Sequence, residues 1–131
     1  MCNGSFKLSR AGGGTSHYAF VRLRLITSPG MSQVEVLQLD KKRVLESWID
    51  AAITGARDAI KITKNDAVYS LSEIIELSGL LSDTNDNDSW CAGFMAAIHA
   101  MSIDSGKPIY DEDRKEWGIQ FADQCEIVFM N

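Results

Sequence analysis

The sequence predicts an all-α fold, a compact bundle of about four helices behind an N-terminal extended or hairpin segment. Three observations carry that expectation. From residue 40 onward, apolar residues recur at spacings of three and four, the helical period. The stretch "WCAGFMAAIHAM" at 90–101 is apolar nearly all round, as a helix enclosed by others must be. Gly106 and Pro108 follow the 90–101 stretch and end it. The alternative is an α+β fold, in which a small antiparallel sheet pairs the early hairpin with "EIVFM" at 126–130.

The first 16 residues, "MCNGSFKLSRAGGGTS", are rich in Gly and Ser and offer little to bury, which suits a mobile tail. In "HYAFVRLRLI", Val21, Leu23 and Leu25 alternate with Arg22 and Arg24, the period of a strand. Pro29-Gly30 fits the centre of a type II turn, and "QVEVLQL" alternates in part, so a hairpin over 18–39 is one reading. The other makes residues 1–30 a basic Gly/Ser-containing leader or tail, with 31–131 a single acidic helical domain.

Asp40 is placed to cap the first helix, through residue 62, with Leu45, Ile49, Ile53, Ala56 and Ile60 on its buried stripe. Val44, Trp48 and Ala52 widen that stripe. Ser70-Leu71-Ser72-Glu73 has the form of a capping box, opening a short helix over 71–81. The helix from Trp90 follows, capped by Asp88 or Ser89, with Asp83 and Asp86 near its positive end. A last helix after Asp111 carries Trp117, Phe121, Cys125 and Val128 at spacings of four, four and three.

Composition narrows the function classes. The net charge is −5, yet residues 1–30 hold Lys7, Arg10, Arg22 and Arg24 and no acid. The body is therefore acidic and repels nucleic-acid phosphates, which bind through basic groups. The stretch "YSLSEIIELSGLLS" resembles the first helix and turn of a helix-turn-helix, but "DTNDND" follows where a basic recognition helix belongs, so direct DNA binding is set aside. No run approaches 18 apolar residues, which excludes a membrane-spanning helix. Three cysteines without a CxxC suit thiols in a reducing cytoplasm.

Few patterns carry chemistry. Cys91 and His99 lie eight apart on one helix, about 80° apart in rotation, and do not make a zinc pair. An EF-hand register from Asp83 places Asp88 at the glycine position and Phe94 at the bidentate position, so it fails. Glu73 and Glu76, three apart on a helix, share a face and could hold a hard cation, with Asp83 or Asp86 completing its shell. This ExxE resembles half of the motif of the all-α nucleotide pyrophosphohydrolases of the MazG type. The resemblance covers these four positions, and the family's following ExxD is absent from 90–103. It implies a magnesium-dependent nucleotide hydrolase as the alternative function. The leading expectation is a small soluble non-enzymatic interaction protein, regulatory or inhibitor-like and without a cofactor. It would bind a basic protein partner or self-associate as a homodimer, with Trp48, Trp90 and Trp117 as core or interface anchors.

Overall fold

A computed structural model of the chain describes residues 2–11, 16–28, 33–37, 44–122 and 126–130. Among them lie two helices and two sheets, an α+β fold and not the all-α bundle. The first sheet contains β1 (Cys2–Arg10), β2 (His17–Ile26), β3 (Glu35–Val36) and β4 (Ser70–Gly79), in the order β1-β2-β4-β3. β1 and β4 flank β2 antiparallel, and β3 runs parallel to β4. The helices are α1 (Glu46–Ile62) and α2 (Asp86–Ala100). The second sheet is the antiparallel meander β5 (Gly106–Asp111), β6 (Glu116–Phe121) and β7 (Ile127–Phe129).

Each departure from the expected bundle has a local cause. Residues 2–10, expected as part of a tail, alternate after all. Cys2, Gly4, Phe6 and Leu8 form the more buried set, and Asn3, Ser5, Lys7 and Ser9 are exposed. Gly4 is not idle there, because a Cβ on it would lie 2.1 Å from the Ala96 carbonyl oxygen of α2. β2 keeps the predicted alternation but pairs with β1 and β4, while β3 pairs with β4. The expected helix over 71–81 is β4. Its pairing with β2 shifts register between Arg22 and Leu23 and again between Arg24 and Leu25. Each bulge inserts a residue, so Leu71, Ile74 and Leu77 face the core at a spacing of three. That period imitates a helix.

Where the last helix was expected, after Asp111, the chain forms β6 and β7 of the second sheet. Trp117, Ile119 and Phe121 are buried on β6, where a spacing of four is also two strand periods. "EIVFM" does supply a strand, but β7 pairs with β6 and not with the early hairpin. The Asp40 cap and the Pro29-Gly30 turn lie outside the described residues, as does Cys125. α1 begins at Glu46, with Leu45 at its N-cap and no side-chain cap bond.

The core lies between the first sheet and the helices. Ala19, Val21, Leu23 and Leu25 of β2 meet α2, which also packs on α1, β1, β5 and β6. α2 is consequently buried at every position from Asn87 to Ile98. α1 and α2 meet at a glycine crossing, where a Cβ on Gly55 would sit 2.1 Å from Trp90 O and one on Gly93 2.3 Å from Ala52 O. No helix among the described residues is long and apolar enough to cross a membrane.

Candidate functional site

Two polar constellations stand out, one inside the fold and one on its surface. The inner one is built by the acidic stretch that precedes α2. Asn85 is the helix N-cap: its side chain accepts from the Asp88 amide at 2.8 Å, while Asp88 Oδ2 accepts from the Asn85 amide at 3.0 Å. The cap therefore falls one turn before the expected Asp88 or Ser89. Asp88 Oδ1 also lies 2.9 Å from His17 Nδ1 and accepts from Trp117 Nε1 at 2.9 Å. Asn87 clasps β6 much as a neighbouring strand would, its Oδ1 accepting from the Trp117 amide and its Nδ2 donating to the Trp117 carbonyl. Thr84 donates its hydroxyl to the Tyr18 carbonyl, and the Tyr18 amide donates to Asp83 O at 3.0 Å.

The His17 ring packs against Tyr110 at 4.9 Å and edge-on to Trp117 at 6.3 Å. Arg10 stacks over Tyr110 at 4.5 Å and pairs with Glu112. Burial is the main influence on the Asp88 carboxyl and raises it above its ordinary value of 3.8. The Asn85 amide, the His17 charge and the Trp117 indole all pull the other way. An imidazole oriented by a carboxylate is the pairing that general bases use. Here both side chains are withdrawn from solvent, at 8% and 0% exposure, beneath two aromatic rings. What the pair does in this position is fasten the ends of β2, α2 and β6 together.

The outer constellation lies on the sheet face turned away from the helices. The bulges in β4 bring Glu73 and Glu76 onto this face opposite Arg24 and Arg22. Arg24 pairs with Glu73 at 3.1 Å and donates through Nε to Asn3 Oδ1 at 3.2 Å. Arg22 pairs with Glu76 at 3.4 Å. Beside this ladder, at the outer edge of β1, Asn3, Gly4, Ser5, Arg22 and His99 line an open cleft of about 510 Å³. His99, at the end of α2, donates its Nδ1–H to the Ser5 carbonyl at 3.0 Å and packs edge-on to Phe6.

The four carboxylates picked out as metal ligands are thus divided. Glu73 and Glu76 share a face but sit on a strand, each against an arginine, and the helix that the pyrophosphohydrolase resemblance implies for them is not there. Asp83 lies in the turn after β4, and Asp86 opens α2. Among the described residues no group of three or more His, Cys, Asp or Glu is placed to hold a metal ion. Trp48, Trp90 and Trp117 are buried at 1%, 0% and 6% exposure. Trp90 Nε1 donates to Asp58 at 2.9 Å.

Sequence reasoning missed the His17–Asp88–Trp117 cluster, whose members are 71 and 29 residues apart along the chain. The available signal was Asn85-x-x-Asp88 directly before an apolar helix, a capping-box spacing with a carboxylate aimed inward.

No protein-family model matches this chain, and no curated protein matches it in sequence. A crystal structure of ttk003000868 from Thermus thermophilus superposes on 90% of this chain with a TM-score of 0.61 at 17% identity. The likeness is one of fold. This chain spans 16% of the length of that one.

Proposed function

We propose that this protein is a non-enzymatic interaction module that takes an extended, acidic segment of a partner protein along the outer edge of β1. The observation that carries the reading is β1 itself. It is nine residues long and, among the described residues, stands at the end of its sheet, with the Ser5 carbonyl of that edge bonded to His99. Because Ser5 turns its carbonyl outward to His99, the alternating backbone groups of Asn3, Lys7 and Ser9 face outward with it. An edge of that length is a template for an added strand.

Charge decides what kind of strand it takes. β1 and β2 carry Lys7, Arg10, Arg22 and Arg24 and no acid; Arg10, Arg22 and Arg24 pair with Glu112, Glu76 and Glu73, so the local surplus is the positive charge of Lys7. The net charge of −5 alone favours a basic partner at long range. At this edge the local charge has the opposite sign. We take the setting to be cytoplasmic, on cysteines without a pairing pattern.

The test is an NMR titration of the labelled full chain with a short capped peptide alternating Glu and Val, beside its Lys/Val counterpart. The acidic peptide should shift the amides of Asn3, Ser5, Lys7 and Ser9, less so as salt rises. Lys7→Pro, which removes an outward donor and not a β2 bond, should abolish the effect. Equal binding of the basic peptide would refute the reading. So would a concentration-dependent homodimer lost in Lys7→Pro, which would put a second copy on the edge.

A further inference from the structure

The cleft at the β1 edge carries an inference of its own. We infer that it is a carboxylate-binding site, formed by Arg22, His99, Ser5 and Asn3. It names what an acidic segment would present, so it rests on the interaction reading for the identity of that segment, though not for the chemistry.

The lining is rich in donors and contains no acid. Arg22 lines the cleft from β2, where it is the register partner of Ser5, while its guanidinium leans toward Glu76 of β4 and lies 5.7 Å from the Phe20 ring, and its side chain is 49% exposed. Its ion pair with Glu76 uses Nη1, at 3.4 Å, and a guanidinium has five N–H donors in a planar fork suited to a carboxylate. Asn3 has its Oδ1 committed to Arg24, which leaves the amide nitrogen as the group it can offer. Ser5 contributes a hydroxyl from the exposed face of β1 and, beside its outward carbonyl, an outward amide.

His99 approaches from the other side of the strand. Its Nδ1–H is held by the Ser5 carbonyl, and its ring is steadied against Phe6 at 5.6 Å. Nε2 is the remaining ring nitrogen, an acceptor when the ring is neutral and a donor in the imidazolium. Polar groups therefore border one open space from a strand face, a strand edge and a helix end. The cleft, about 510 Å³, is open to solvent and much larger than one carboxylate needs. The surplus suits a carboxylate that arrives on a chain. The neighbouring Glu76 and Glu73 are neutralised by Arg22 and Arg24, so the approach is not barred by unpaired negative charge.

The probe is succinate, titrated into the full chain at constant ionic strength maintained with sodium chloride, with inorganic phosphate as a second arm. Saturable shifts at Asn3, Gly4, Ser5 and the His99 ring are expected with succinate. Arg22→Gln should weaken binding about tenfold or more, the loss of a charge-assisted contact. His99→Gln should weaken it as well. Lys61→Gln removes the same charge at the exposed end of α1, away from the cleft and from β1, and should leave affinity within about twofold, since exposed charges away from the contact contribute little. Equal weakening by Lys61→Gln would reduce the effect to general electrostatics and overturn the site. An absence of saturable shifts would overturn it too, and binding of phosphate without succinate would overturn the carboxylate assignment. Succinate binding alongside failure of the Glu/Val peptide would uphold the cleft and remove the edge-pairing reading, so the two stand or fall separately.

Discussion

Replacing Gly55 by alanine sets two well-known effects against each other, and the structure decides between them. In a helix interior, alanine is favoured over glycine by about 1 kcal/mol, so propensity alone predicts a more stable protein. The new Cβ, however, would lie 2.1 Å from Trp90 O, 2.9 Å from Trp90 C and 3.1 Å from Phe94 N. These are backbone atoms of α2, and no rotamer change moves them aside. Real Cβ contacts essentially never fall under 3.0 Å, so α1 and α2 must part by about 0.9 Å, the difference between 3.0 and 2.1 Å.

A gap of that size forfeits roughly a quarter to a half of the dispersion attraction of each atom pair it opens. Overpacking of this kind costs about 3 kcal/mol, the upper end of its usual range, because the obstruction is backbone. Less the helical gain, Gly55→Ala should destabilise by about 2 kcal/mol, a fall in melting temperature of about 8 °C for a chain of this length. Gly93→Ala should behave alike, its Cβ meeting Ala52 O at 2.3 Å. The double variant should cost less than the two together, since one parting of the helices relieves both. Thermal and urea unfolding of the three variants measure this. A rise in melting temperature for Gly55→Ala would refute the close crossing.

Two further predictions concern α2. Burial holds the Asp88 carboxyl above its ordinary 3.8, so the fold binds that proton more tightly than the unfolded chain does. Its contribution to stability is full below the unfolded value and is lost as the pH rises through the folded one. Unfolding free energy of the native chain, measured by urea between about pH 3 and pH 7, should therefore decline relative to Asp88→Asn. The opposite slope would show that the Asn85, His17 and Trp117 contacts outweigh desolvation. Burial likewise pushes the Cys91 thiol upward, with the Asp88 charge adding to it, so brief iodoacetamide treatment followed by peptide mapping should leave Cys91 unmodified until the chain unfolds. Labelling of Cys91 in the folded protein would contradict its burial.

How much could be read from the sequence depended on whether local pattern and long-range pairing agreed. α1 was legible because its apolar spacing follows directly from helix geometry, as with Trp48, Ala52 and Ala56, and α2 because it is apolar nearly all round. β2 was legible through Val21, Leu23 and Leu25. β4 was not, because bulges set by its register with β2 turned a strand's period of two into Leu71, Ile74 and Leu77. β6 was ambiguous in principle, since Trp117 and Phe121 satisfy both periods. β1 hid behind its composition: Gly4, read as chain with nothing to bury, is the residue that lets the α2 backbone rest on the strand. On the outer face, Arg22 and Arg24 were visible as an alternating pair, and Glu73 and Glu76 as a spacing. Only the register joins them into one ladder, and no local pattern announces that register.

The enclosure of α2 has a consequence for the living chain. Translation delivers the helix before β5, β6 and β7 exist, yet the ring of Phe94 packs against Phe121 at 6.2 Å, and Asn87 and Asp88 bond to Trp117. Until residue 121 has left the ribosome tunnel, the most apolar segment of the protein lacks one of its walls. In that interval it is a substrate for chaperones or for its own kind. A chain broken off near residue 105 would not be a smaller version of this fold but an adhesive one, and cells making it would be expected to hold it in inclusions.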